Sequence, residues 1–477
     1  MPKYRFMKNY LISILLVCLF RPYSVDSQTT DNSSLKNKYG LPQYNHEYHS
    51  SLVYKIFCAD KGTAEKVEVS FEEALNCIRT IHDITGGIKQ IVYLVGWQFD
   101  GHDSKYPAWS EVNHRLKRAE DPDARTSFIW LANEAKKYNA LVSVHINMSD
   151  AYMNSPLWDE YLKNGLIILN EDGTPTKGGI WGGEQSYSVD KMKEWELGFS
   201  QKRIDNLLKL LPFIQENGTV HIDAFGMTEK NVKLLDAVNG IIDYMNNKGV
   251  DVTTEYFDFN LAGRIPYVFH LNLAEENRLK YPPNIICGGG PGGNMRNLDD
   301  RGPYYVWATL PDAGCLFDEA WGISIDDDLR GKDMLNNIVG RICTRTLQWY
   351  FLNKHVAISN YQDTANYRVA FSDGVNTNVH KSNRYLTIQQ GDRLLVDGDY
   401  IFIPALWTNG EWWAYNKKGG THTWPIPKEW QGEKVIKAIK LTDKGRGESF
   451  DLPVINGKIT IDLLKGEALA LSVNKII

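Results

Sequence analysis

Cysteine is scarce, and what there is does not pair. The 477-residue chain has six cysteines. Cys18 falls in an N-terminal apolar run, and Cys58, Cys77, Cys287, Cys315 and Cys343 are far apart and form no CxxC pair. That excludes a disulfide scaffold and a thiolate zinc site, and it casts the cysteines as small buried hydrophobes. A basic excess is missing too: 53 Lys and Arg stand against 58 Asp and Glu, a formal net charge of -5. A nucleic-acid partner is therefore not expected, because nothing neutralises phosphate. There is no GxSxG elbow, no HxxxH pair, and no GK[ST] after the glycine run Gly288–Gly293, which reads as a loop. Nor does any apolar run reach the ~20 residues that cross a bilayer. The run Tyr10–Phe20 follows Lys3, Arg5 and Lys8 and precedes Val25-Asp26-Ser27, the pattern of an export signal cleaved near Ser27. The mature chain is expected to have no membrane span and to be periplasmic, cell-surface or secreted. Aromatic residues are plentiful, with 14 Trp, 25 Tyr and 17 Phe, and 43% of the chain is hydrophobic. Disorder is excluded on that basis. Sugar binding is favoured, since pyranose C–H faces stack on aromatic rings.

Residues 28–45 read as a polar leader after the signal peptide of residues 1–27. From there to residue 366, helical and strand patterns alternate. Helices are expected over Ser70–Ile84, Ser127–Tyr138, Glu194–Leu211 and Asn231–Lys248. Apolar strands are expected over Lys89–Gln98, Ala140–Asn147, Thr219–Gly226, Val250–Phe257 and Pro283–Gly290. This alternation over residues 46–366 predicts a (β/α)8 barrel, with a doubly wound open sheet as the alternative. Over residues 367–477, short alternating strands separated by Asp397-Gly398, Asn409-Gly410, Gly419-Gly420 and Asn456-Gly457 predict a C-terminal antiparallel β-sandwich. Trp412, Trp413 and Trp424 belong to it, as packing residues ahead of glycan contacts.

In a barrel, chemistry sits at the C-terminal ends of the strands. Candidates there are His102 and Asp103 in GWQFDGHDS, His145 and Asn147 in VSVHIN, His221 and Asp223 in VHIDAFG, and Glu255 in VTTEYF. A carboxylate within an apolar strand loses hydration, so it needs a partner or a purpose. Asp223 and Glu255 end successive strands, and paired carboxylates are the apparatus of glycoside hydrolysis. The residues alone leave another reading open, in which Asp223 caps the following helix and Glu255 pairs with an arginine. His145, His221 and Asp223 could in principle hold a metal, but no compact ligand motif supports one, and no metal or other cofactor is expected.

Several motifs together resemble glycoside hydrolase family 101, the endo-α-N-acetylgalactosaminidases of mucin-type O-glycans. They are GWQFDGHDS (Gly96–Ser104), KKYNALVSVHIN (Lys136–Asn147), EQSYSVD (Glu184–Asp190), HIDAFG (His221–Gly226), TTEYFD (Thr253–Asp258), YNKKGGTHTWPIPKEW (Tyr415–Trp430) and KLTDKGR (Lys440–Arg446). The resemblance implies Asp223 as nucleophile and Glu255 as general acid/base of a retaining enzyme, with Asp223 ionised and Glu255 protonated. It implies sugar contacts from His102, Asp103, His145, Asn147 and Gln185, a lid aromatic in Trp181, and a pocket tryptophan in Trp321. The implied partner is an O-glycan or glycoprotein bearing Gal-β1,3-GalNAc on Ser or Thr. The chain departs from the family in two places: IWGGEQSY stands where the family has WGW before DQSY, and Gly322 follows Trp321 where a glutamine is usual. Those departures imply a different pocket, and with it an exo-acting α-N-acetylgalactosaminidase or an α-galactosidase as alternatives. A non-catalytic glycan-binding protein is the further alternative.

Overall fold

The computed structural model describes residues 43–61, 67–225, 231–256, 258–271, 279–288, 335–380, 382–383 and 385–473. The expected signal peptide, most of the leader, Cys315, Trp321 and most of the Gly288–Gly293 run lie outside the described residues. Seven parallel strands form the first sheet: β1 (Leu52–Phe57), β2 (Gln90–Val95), β3 (Ala140–Asn147), β7 (Thr219–Asp223), β8 (Asp251–Tyr256), β9 (Tyr267–His270) and β10 (Cys287–Gly288). Between β3 and β7, the strands β4 (Asp150–Ala151), β5 (Lys177–Trp181) and β6 (Glu184–Ser188) make a separate small sheet.

The order of the seven strands follows the chain without reversal. A doubly wound sheet reverses at a switch point, whereas a barrel winds one way. Curvature is equally direct. With strands ~4.8 Å apart, β1 and β8 lie ~19 Å apart in a flat sheet. Yet Lys55 Nζ on β1 is 2.7 Å from Glu255 Oε1 on β8, so the sheet curls around its own interior and the architecture is of the (β/α) barrel kind.

Local chemistry explains the helical layer. Ser70 opens the helix Phe71–Thr85 with a capping box: its Oγ accepts from the Glu73 amide, and Glu73 Oε2 accepts from the Ser70 amide. Such a cap is worth about 1 kcal/mol. The helix ends at Gly86, whose φ of +72° suits a residue without Cβ. The single helix expected over Glu194–Leu211 is instead two, Lys191–Glu196 and Phe199–Leu210, broken where Gly198 takes φ +77°.

Ten strands, from Ala357–Gln362 to Glu467–Ser472, form the C-terminal antiparallel sheet, and Gly420–Pro425 pairs with Lys458–Leu463 beside it. The sheet begins at Ala357, ahead of the boundary expected at 366/367, because its first strand, AISNYQ, is too polar to show alternation. Trp412, Trp413 and Trp424 are buried. One continuous apolar cluster joins barrel and sandwich. The seam is also polar: Trp407 Nε1 donates to Thr85 O at 2.9 Å, and the Arg446 guanidinium, which lies against Gly86, is held within the sandwich by both Glu411 carboxylate oxygens at 2.6 and 2.8 Å. Cys58, Cys77, Cys287 and Cys343 are buried single thiols.

Candidate active site

Register assembles the site. On β7 and β8, Ile222 pairs with Thr254, so Asp223 and Glu255 fall in one row. On β3 and β7, Asn147 pairs with Asp223 and His145 with His221. Side chains alternate faces along a strand, so Asn147, Asp223 and Glu255 form the upper layer of the interior. His145, His221 and Thr253 form the layer beneath. Lys55, Tyr93, Ser143 and Thr219 lie one layer lower still.

Asp223 and Glu255 are buried and hydrogen-bonded to each other. Neither takes the structural alternative left open by the sequence: the next helix, Val232–Asn246, is capped by Asn231, and the cation on Glu255 is a lysine. Burial raises the Asp223 carboxyl well above the carboxylate range, and the Glu255 charge adds to the rise. Burial alone would push Glu255 the same way. The Lys55 ammonium outweighs it and, with the hydrogen bond from Asp223, holds Glu255 below the usual range. The two shifts, Asp223 up and Glu255 down, run opposite to the expected charge assignment. The cause is Lys55, whose side chain climbs from its own layer and sets its Nζ on Glu255, 4.5 Å from the Phe269 ring centroid.

Around the pair, Asn147 Nδ2 donates to Asp223 Oδ2 at 3.0 Å and to Asp150 Oδ2 at 2.9 Å, which fixes the carboxyl's orientation. His145 Nε2 lies 3.7 Å from Asp223 Oδ2, and neither His145 ring nitrogen has a hydrogen-bond partner. Burial, then the charges of Lys55 and the neighbouring imidazoles, depress the His145 pKa well below its ordinary value, so the ring is neutral. His102 Nδ1 meets Asp103 Oδ2 at 3.0 Å, and its ring stands 5.4 Å from that of His145. Asp103, at φ +54°, and Ala224, at φ +46° directly after Asp223, adopt backbone that L-residues resist at a cost of ~1–2 kcal/mol each. Strain of this kind gathers at functional sites.

The structure brings together Asp223, Glu255, His102, Asp103, His145 and Asn147. Gln185 lies in the β5–β6 hairpin, its amide donating to the carbonyls of Gly178, Gly179 and Ser186. Trp181 ends the β5 strand of the same hairpin and is 43% exposed, with its ring packed over Gly179. Trp321 lies outside the described residues. Two lysines escaped the sequence reading. Lys55 broke the apolar pattern of LVYKIF, and that break was itself the signal. Lys61 left none: it donates to Asp103 O at 2.6 Å, lies 3.4 Å from Glu184 and covers the Tyr152 ring, tying the hairpin to the His102 loop.

Residues 34–267 match the family model for endo-alpha-N-acetylgalactosaminidase, and residues 345–447 match the glycosyl hydrolase 101 beta sandwich domain. An inferred endo-alpha-N-acetylgalactosaminidase of Renibacterium salmoninarum is 23% identical over 418 residues, covering 83% of this chain and 25% of that protein. The chain therefore spans about a quarter of the length of this curated relative. Among solved structures, the alpha-N-acetylgalactosaminidase NagBb of Bifidobacterium bifidum superposes with a TM-score of 0.54 at 12% identity, over 74% of this chain and 62% of that one. Its GalNAc complex gives a TM-score of 0.53 at 13% identity, over 75% and 62%. At that identity the likeness speaks for the fold. The two family matches together take in well over half of the chain, and with both domains matched in order, this chain belongs to glycoside hydrolase family 101.

Proposed function

We propose that this protein is a retaining glycoside hydrolase that releases α-linked N-acetylgalactosamine-based glycans, Gal-β1,3-GalNAc among them, from Ser or Thr of glycoproteins. The observation that carries the reading is the pair of buried carboxyls, Asp223 and Glu255, side by side on neighbouring strands in one row of the barrel interior. Retaining glycosidases hold their carboxyls ~5–5.5 Å apart, inverting ones ~6.5–9.5 Å. Here the two are in hydrogen-bond contact, which favours direct attack over the insertion of a water.

In the reaction, the sugar enters with its anomeric carbon against Asp223 and its glycosidic oxygen against Glu255. A proton moves from Asp223 to Glu255 along the hydrogen bond that joins them. Asp223 then attacks as a carboxylate while Glu255 protonates the departing Ser or Thr oxygen. Water, deprotonated by Glu255, displaces Asp223 and returns the proton to the pair. Neutral His145 and the His102–Asp103 pair bind sugar hydroxyls, and Trp181 stacks on the sugar face. The lysine on Glu255 favours one other assignment, with the roles of the two carboxyls exchanged. The segment Met1–Ser27 carries the expectation of export.

The test is a parallel assay on p-nitrophenyl α-glycosides of Gal-β1,3-GalNAc, GalNAc and galactose, with Asp223→Asn and Glu255→Gln as controls. Release of intact disaccharide, lost in both variants, supports the endo reading. Activity confined to GalNAc makes the protein an exo-enzyme, in keeping with its single lid tryptophan, and activity confined to galactose makes it an α-galactosidase. Binding of O-glycan without release of any sugar overturns the catalytic reading. Azide rescue assigns the roles: the variant whose glycosyl azide has inverted configuration has lost the nucleophile.

A further inference from the structure

The interior carries a second chemistry. The ligand atoms of His102, His145 and Asp223, all buried, lie within 4.8 Å of one another. Two imidazoles and one carboxylate, with a position left open, form a donor set that suits zinc and its first-row neighbours. Zinc bonds of ~2.0–2.1 Å in tetrahedral arrangement place neighbouring ligand atoms ~3.4 Å apart. His145 Nε2 and Asp223 Oδ2 are already 3.7 Å apart, so small side-chain rotations close the shell.

Two independent observations point to a ligand at this position. His145 is only 1% exposed, yet both its ring nitrogens lack a hydrogen-bond partner; a buried imidazole in that condition bears an uncompensated loss of hydration. His102 Nδ1 meets Asp103 Oδ2 at 3.0 Å, the carboxylate–imidazole contact that orients metal-binding histidines. A second triad, His145, His221 and Glu255, has comparable spacing. It is the poorer site, because the Lys55 ammonium lies 2.7 Å from its carboxylate and repels a cation.

We propose that His102, His145 and Asp223, with Asp103 behind His102, form a binding site for one zinc-class divalent cation. The cation occupies the place of the sugar and takes Asp223 as a ligand. Zinc binding stands by itself. Its consequence, reversible inhibition competitive with glycan, rests on the glycosidase reading, because it withdraws the nucleophile.

Isothermal titration of chelator-treated full-length protein with zinc chloride tests the site, with cobalt(II) absorption as a second readout. The expected result is one zinc per chain and a visible cobalt band of four-coordinate intensity. His102→Ala and His145→Ala should each remove both signals, and Asp103→Asn should weaken binding 10–100-fold. His221→Ala should leave affinity within a few-fold, and melting curves of all four variants confirm that they fold. Absence of stoichiometric binding, or binding lost in His221→Ala and kept in His102→Ala, overturns the proposal. Because binding is read without substrate, this outcome is independent of whether the protein proves to be a glycosidase.

Discussion

Lys55→Met removes the cation that lowers Glu255 and keeps an unbranched apolar stem in the barrel interior. At an effective dielectric of 20, opposite charges 2.7 Å apart attract by ~6 kcal/mol. At ~1.4 kcal/mol per pKa unit this is ~4 units, and the hydration lost by the buried charges offsets part of it. A net shift of about 2–3 units is expected. Loss of a positive charge favours every protonated form, so both limbs of kcat/KM against pH move to higher pH. The acidic limb, where the second proton enters the pair at Glu255, moves most. The assay is kcat/KM on an activated aryl α-GalNAc substrate from pH 3 to 10, with melting curves to confirm folding. A uniform fall in activity with both limbs unmoved refutes the reasoning, because a lysine that merely fills space leaves the profile in place. A shift to lower pH refutes it too.

Three further outcomes follow from the geometry. Burial raises the Asp251 carboxyl to about 6. A carboxyl raised in the folded state stabilises at low pH and loses that contribution as pH climbs from its unfolded value near 4 through 6; Asp251→Asn should therefore abolish a decline of about 2 kcal/mol in unfolding free energy between pH 4 and 7, measured by urea titration. A Cβ at Gly86 would stand 2.4 Å from the Arg446 guanidinium, on backbone at φ +72°. Gly86→Ala should cost about 2–3 kcal/mol and lower Tm by several degrees, as the left-handed strain adds to displacement of Arg446 from Glu411. Trp181→Ala should raise KM for the sugar about tenfold and leave kcat within a few-fold, as expected for a stacking face that acts on binding.

Much of the fold was legible where the chain is locally consistent. The strand Ala140–Asn147 has the expected ends, and Ser70, Asn231 and their helices follow their caps. The interval of 32 residues between Asp223 and Glu255 equals the β7–β8 register offset, as between Ile222 and Thr254, so their adjacency was readable from the spacing alone. The first barrel strand was not seen, because Lys55 interrupts it. That interruption obeys the same rule that singled out Asp223 and Glu255, since a charge inside an apolar strand needs a partner. The first strand of the β5–β6 hairpin is mostly exposed and glycine-rich, with no alternation to betray it. The charge assignment of the pair was out of reach for a different reason: it depends on a lysine 200 residues away in sequence, and only the closed curvature of the sheet brings it there.

Double displacement by Asp223 and Glu255 at an α-linked GalNAc glycoside is the reaction proposed for this site. Proton NMR of the first-formed sugar, taken before mutarotation, tests it most directly. The α-anomer is expected first, with the β-anomer growing in only later. Initial release of the β-anomer would mean a single inverting displacement, and would contradict the roles of nucleophile and acid/base for the two carboxyls.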